Sequence, residues 1–573
     1  MKLTDYIIDF LIKQGISHVF GVTGGAVVHL FDSAHRSGRL QPVFTHHEQT
    51  AAFAAQAYAR IKNHPGACFV TTGPGGTNAL TGVAAAWQDS IPCIYISGQT
   101  RFSHTTRGKT IRQLGPQQLD ILSMVDPITK YAVMVDDPRK IKYYLQQAFW
   151  QATSGRPGPV WIDLPLDFQW AVVEPGQLDG FDPPLPQEDL QWEKDLQTCR
   201  EALAQARRPL ILAGYGIRLA HAEDVFRQLI DGLGVPFVST WNASDLLETA
   251  HPNYMGRLGM AGQRGANLAV QNCDFLLCLG SHLAIPLTGT MFSAFAREAK
   301  IVMVDIDVHE LQKKTVRVDL PICCDVKWFV EALLKRLESH SVCISDWQQK
   351  CRHYKKYNQI LQEWYGQESL VNPYVFLDML SDQLHSDDMV VIDGGGTITQ
   401  MTFQTLRIKQ GQRVFIDAGL CAMGSGLPQS IGACFAKNKG RTICLCGDGS
   451  FQFNIQELET LVHHGLPVKI FIINNNGYLS IRHTQGGFLE GRFVGSDKEG
   501  GMSVPNLLKV AQAYGVQVFQ AAHHRELKEK IQRTLTQKGP CLCEILVNPR
   551  QEVIPRQGFD PRLDGTFAAR PLE

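Results

Sequence analysis

The 573-residue chain is predicted to be an α/β protein built as three doubly wound parallel-sheet domains. Three observations carry this. Short apolar runs of strand length alternate with helical periodicities along the whole chain. The length exceeds what one hydrophobic core supports, and three units of roughly 170 residues fill it. The composition, 44% hydrophobic and 19% charged, is that of a globular protein.

In chain order, MKLTDYIIDFLIK reads as an amphipathic helix interrupted by Asp5, Asp9 and Lys13, so it is neither a signal peptide nor a membrane span. SHVFGV, PVFTHHE, GACFVTT and PCIYISGQ follow as buried strands. EQTAAFAAQAYARI and TNALTGVAAAWQDS read as helices, the second rich enough in alanine for close packing. This first domain is expected over 1–170. VVEPGQLDGFDPPLPQEDL, dense in Pro, Gly and Asp, is expected as a linker over 171–188. RPLILAGYG, VPFVSTW, CDFLLCLGS and KIVMVDID give a central domain over 189–340. A polar helical connector is expected over 341–368. MVVIDGGG, RTICLCGDGS, VKIFIINNN and CLCEILV mark a third domain over 369–550, and the aperiodic tail, 551–573, is expected to lie over another surface.

Lys+Arg and Asp+Glu balance at 55 each, which gives no electrostatic reason to expect nucleic acid or a membrane as partner. The fifteen cysteines show no CxxC or zinc spacing, and several sit in strand-like runs such as CLCGDG and CLCEIL. Reduced thiols and a cytoplasmic location are expected.

The chemistry concentrates in GDGSFQFNIQELETLVHHGLPVKIFIINNNG, Gly447 to Gly477. Strand RTICLC delivers Asp448 to the carboxyl end of a parallel sheet, where open α/β folds bind ligands. Gly447 and Gly449 permit close approach of a ligand. The following helix has Leu458, Leu461 and Val462 on one face and Gly465 as its stop signal, and its N-terminus suits a phosphate. Strand VKIFII returns Asn474, Asn475 and Asn476 to the same edge. A carboxylate, an amide oxygen, a backbone carbonyl and phosphate oxygens form a hard-oxygen set suited to Mg²⁺. Each piece alone is an ordinary turn. Glu48, at a strand-to-helix junction, is by itself a helix-start carboxylate.

Together, GDG followed one helix and one strand later by NN resembles the thiamine diphosphate (ThDP) motif. FGVTGGA, HEQTAAFAAQAYAR, GPGGTN, SGRPGPVWIDLP, GLCAMGSGLP and GDGSFQFNIQEL extend the resemblance over most of the chain, to the acetolactate synthase (acetohydroxyacid synthase) large-subunit group. The resemblance implies pyrimidine-binding, central and diphosphate-binding domains in that order. It implies Glu48 as the catalytic carboxylate that sets the tautomer of the cofactor's pyrimidine. Asp448 and Asn475 would hold Mg²⁺ through their side chains and Gly477 through its carbonyl. Gly396, Thr397, Gly449 and Ser450 would meet the diphosphate, with Asn78 also on the cofactor. Met423 would be the wedge between the cofactor's rings, and Cys421, usually Gly in the group, would offer its carbonyl to the pyrimidine. Thr23, Gly24, His47, Gln117, Leu479 and Arg482 would line the substrate pocket.

The implied reaction is decarboxylation of pyruvate and transfer of the two-carbon unit to a carbonyl acceptor, with a non-ligating decarboxylase or a pyruvate oxidase as the alternative. Glu48 of one subunit would serve cofactor held by another, making a homodimer the smallest active unit, with tetramers common. The chain departs from the group at the acceptor. SHLAIPLTG, with Ile285 and Pro286, replaces RFDDRVTG; Thr484 replaces a tryptophan; Pro116-Gln117-Gln118 replaces FQE. Loss of a guanidinium weakens the case for a 2-keto acid acceptor and resembles a branch acting on ketones or keto sugars, where Arg482 offers an alternative cation. GRLGMAGQRGANLAV resembles the group's FAD region, so a structural FAD stays open. GYGIRLA lacks the full GxGxxG of a nicotinamide site.

Overall fold

The computed structural model describes residues 1–184, 191–337, 344–561 and 567–572. The end of the expected linker (185–188), the junction of central domain and connector (338–343), and 562–566 and 573 of the tail lie outside the described residues.

Three six-stranded sheets, parallel throughout, form the framework. The first holds β1 (His18–Gly21), β2 (Gln41–Phe44), β3 (Gly66–Val70), β4 (Cys93–Gln99), β5 (Tyr131–Met134) and β6 (Pro159–Pro165). The second holds β7 (Pro209–Ala213), β8 (Phe237–Ser239), β9 (Tyr254–Arg257), β10 (Phe275–Leu279), β11 (Lys300–Asp305) and β12 (Leu320–Cys323). The third holds β13 (Met389–Ile392), β14 (Arg413–Ile416), β15 (Thr442–Gly447), β16 (Val468–Asn474), β17 (Gln517–Ala521) and β18 (Cys541–Leu546).

The first and third sheets share one strand order, β2-β1-β3-β4-β6-β5 and β14-β13-β15-β16-β18-β17, whereas the second runs β12-β11-β10-β7-β8-β9. Helices cover both faces, so the central strands are continuously apolar; β10, FLLCL, is buried at every residue. Strand order reverses between β1 and β3, between β7 and β10, and between β13 and β15, the places where such sheets open a crevice.

Small residues let the first and third units approach closely. The alanine-rich helix Glu48–Lys62 crosses helix Gly426–Ala436, where a Cβ on Gly432 would lie 2.0 Å from Ala54 O. Gln429 Nε2 donates to Gln56 Oε1 at 2.9 Å across the same crossing. The central unit is fastened to the third by Asn242, which exchanges two 3.0 Å hydrogen bonds with the backbone of Ile416.

The stretch expected as a linker is partly tied down: Met1 donates to Val173 O at 2.7 Å and Leu3 N to Ala171 O at 2.8 Å. The connector's helix Ser345–Lys355 is no free spacer either, since Trp347 and Cys351 are buried in the central core and Trp347 Nε1 donates to Pro209 O at 2.9 Å. The tail crosses the central unit, with Gln557 N donating to Met260 O at 2.7 Å. No described helix is long and apolar enough to cross a membrane.

Candidate active site

The switch point of the third sheet gathers most of the candidate residues. Asp448 follows β15 and is fully buried; Asn475 follows β16 and is 6% exposed. Asp448 Oδ2 accepts the Gly477 N–H at 2.8 Å, while Oδ1 is buried without a hydrogen-bond partner. Burial pushes this carboxyl up to about 6, opposed by backbone N–H groups led by Gly477. A buried carboxylate oxygen without a protein partner is a donor of the kind a hard cation takes. Gly449 packs directly under the Tyr478 ring, where a Cβ would stand 2.4 Å away.

Beside this lies the loop after β13. Gly396, at φ 139°, caps helix Thr397–Thr405, and a Cβ there would meet nothing, so its N-terminus is open. A Cβ on neighbouring Gly395 would stand 3.1 Å from Cys421 O and 3.4 Å from Met423 Cγ. The Gly394–Gly396 loop and the Cys421–Met423 segment are therefore adjacent. Cys421 itself is left-handed, at φ 52°, which explains glycine as the group's usual residue there.

Glu48 opens the helix after β2. Its Oε2 accepts from Asn78 Nδ2 at 2.9 Å, and Oε1 lies 3.6 Å from where a Gly75 Cβ would be. Gly24 and Gly75 both pack on Thr71, so Gly24 lies near Glu48 and Asn78, with Thr23 exposed beside it. His47 is the helix N-cap, its Nδ1 accepting Gln49 N–H at 3.1 Å, which occupies that nitrogen. Gln117, also left-handed at φ 65°, is exposed and held through its carbonyl, which accepts from Thr72 Oγ at 3.1 Å.

One expectation is corrected. The helix expected after Asp448 is broken: helix Asp448–Phe451 passes into a 3₁₀ segment, Gln452–Glu457, kinked at Asn454, before Leu458–His464 ends at left-handed Gly465. Arg482, a candidate for the substrate pocket, is buried and turned onto its own loop, donating to Asn475 O and Ser496 O at 2.8 Å. Leu479 is buried at the start of helix Leu479–Phe488, and Thr484 is exposed one turn on.

Asp393 was missed by sequence reasoning. It follows β13 directly, is fully buried, and accepts Gly426 N–H at 2.8 Å; burial pushes it up to about 6. A lone aspartate before GGG was the only signal.

At the central switch point a cavity of about 520 Å³ is lined by all three units, from Asp89 and Arg156 through Tyr215, Gly280 and Asp305 to Cys421. Trp241 Nε1 and Ser281 Oγ in its wall are buried without partners, and burial pushes Asp305 up to about 6.

Comparison with known proteins agrees with this layout. Three family profiles match in succession: "Thiamine pyrophosphate enzyme, N-terminal TPP binding domain" over residues 1–124, the central domain of the same enzymes over 196–333, and their C-terminal TPP binding domain over 394–545. The chain is 30% identical over 555 residues to acetolactate synthase isozyme 2 large subunit of Escherichia coli (strain K12), covering 97% of each chain. It is 32% identical over 566 residues to a probable acetolactate synthase large subunit of Methanocaldococcus jannaschii, covering 96% of this chain and 93% of that one. With chloroplastic acetolactate synthase 1 of Nicotiana tabacum it shares 31% over 570 residues, covering 97% and 83%.

Proposed function

This chain belongs to the thiamine pyrophosphate enzymes, in the acetolactate synthase group, and we propose that it joins a two-carbon unit from pyruvate to a neutral carbonyl acceptor, a ketone or keto sugar. Bound ThDP supplies the electron sink that lets the pyruvate carboxylate leave and the remaining carbon attack a carbonyl. Asp448 and Asn475 would hold its Mg²⁺, and the bare Asp448 Oδ1 fits that task. Gly396, Thr397, Gly449 and Ser450 would receive the diphosphate, and the Cys421 carbonyl and Met423 would orient the rings. Glu48, steadied by Asn78, would hold the proton at the pyrimidine nitrogen. Because Thr23 beside it is open to the outside, a second copy of the chain completing the site is part of the reading.

The observation that carries the neutral acceptor is the fate of the cations. Arg482 is spent on loop oxygens. His483 has Nε2 2.9 Å from Gln551 O, and burial lowers its proton affinity. Ile285 and Pro286 replace the charged stretch of the group, and Thr484 stands where it carries Trp. A charged carboxylate in a pocket without a paired cation is costly, whereas a ketone is not. Mass spectrometry of products from pyruvate and a panel of carbonyl acceptors tests this. Products with neutral ketones or keto sugars are expected, and acetolactate as the sole product, formed rapidly, would overturn it.

The central cavity fits FAD as a structural group, since it lies at a switch point and offers Asp305, Trp241 Nε1 and Ser281 Oγ to a nucleotide. Flavin released on denaturing the purified protein, about one per chain, is the expected result; colourless protein that takes up no added FAD would contradict it.

A further inference from the structure

Arg482 lies just past the candidate metal loop, yet it is only 7% exposed. Its Nη1 donates to Asn476 O at 3.2 Å and Ser496 O at 2.8 Å. Its Nη2 donates to Asn475 O at 2.8 Å, Pro549 O at 3.0 Å and the Asn475 side-chain oxygen, Oδ1, at 3.2 Å. Three separate stretches of chain thus converge on one guanidinium. The loop is shaped around it: Gly477, at φ 128°, would place a Cβ 3.0 Å from Nη1 and 2.4 Å from Ser496 O, so only glycine fits between them.

We propose that Arg482 is a positioning residue for the magnesium site, holding the Asn475 amide oxygen and the 475–477 backbone where a cation bound at Asp448 meets them. This rests on the reading of Asp448 and Asn475 as metal ligands. A planar fork of fixed N–H donors can hold a backbone carbonyl and a side-chain oxygen of one residue together, which a lysine ammonium on a flexible stem does poorly. Groups that orient metal ligands in this way change metal affinity by roughly 10–100-fold when removed. A guanidinium does not attract a cation, so geometry rather than charge is what Arg482 supplies.

The test is a Mg²⁺ titration of ThDP binding, followed by quenching of tryptophan fluorescence, on the full-length protein stripped of both. Wild type, Arg482→Lys, Arg482→Met and Asp448→Ala are compared. Arg482→Met is expected to raise the Mg²⁺ concentration at half-saturation about 10–100-fold, with Arg482→Lys between it and wild type. An unchanged Mg²⁺ requirement together with a raised KM for the acceptor would overturn the proposal and return Arg482 to the substrate. Should Arg482→Met fail to fold, as judged by circular dichroism, Arg482→Lys decides alone, and a wild-type Mg²⁺ requirement there contradicts it. Asp448→Ala separates the two levels. If it loses Mg²⁺-dependent binding while the Arg482 variants keep theirs, only the positioning role falls; if it binds like wild type, the ligand assignment falls and the proposal with it.

Discussion

Asn454 donates through its amide nitrogen to Gln49 Oε1 at 3.0 Å and, from the same nitrogen, to Gly424 O at 2.9 Å. Its oxygen accepts from Thr50 Oγ at 3.1 Å. One side chain, 2% exposed, therefore ties the turn beside Glu48 to the turn beside Met423. The backbone kink at Asn454, φ −136°, is what aims the amide across the junction between the two units.

Asn454→Ala leaves these buried partners unpaired, at about 1–3 kcal/mol of stability. It is expected to slow turnover by roughly 10–100-fold through misplacement of Glu48 or Met423, while ThDP binding measured by fluorescence persists. Wild-type turnover in a variant with a lowered melting temperature would confine Asn454 to stability.

Asp163 offers a pH test. It is fully buried, with Ser97 Oγ donating at 2.6 Å and Gln99 Nε2 at 3.0 Å, and burial still pushes its carboxyl up to about 7. In the unfolded chain it titrates near ~4. The folded chain holds its proton through that window, so its contribution to stability is full below ~4 and is lost as pH rises to about 7. The melting temperature of Asp163→Asn relative to wild type should therefore climb across this window and level off above it. A difference independent of pH would contradict the assignment. Gln99 also lies 3.0 Å from Thr72 Oγ, which holds Gln117, so the same core network reaches the pocket side.

Cys421 gives a backbone test. At φ 52°, Cys421→Gly should bind ThDP as wild type does, because the role proposed for Cys421 is carried by a carbonyl. Cys421→Val should be about 1–2 kcal/mol less stable than Cys421→Gly in denaturant unfolding. Equal stability of the two variants would show that the left-handed turn is not maintained.

Much of this was legible in sequence because it is local. Strand-length apolar runs gave the three parallel sheets; Gly465 marked a real helix end, and Gly447 and Gly449 a direct strand-to-helix junction. What escaped was long-range. Arg482 looked available because Ser496 and Pro549, distant in sequence, are what fill its fork. Asn454 sat unremarked within a helical pattern because its partners, Gln49 and Gly424, belong to other segments. The shared strand order of the first and third sheets leaves no repeat of residues, since parallel sheets need only apolar strands in the right places.

The central claim is that Glu48 sets the proton balance of a cofactor held at Asp448 and Asn475, and exchange of the ThDP C2 proton for deuterium, followed by NMR after rapid quenching, measures it most directly. With Mg²⁺ and ThDP bound, Glu48→Gln should exchange roughly 10²–10⁴-fold more slowly than wild type, with cofactor occupancy unchanged. Exchange at the wild-type rate in a fully loaded Glu48→Gln protein would contradict the account.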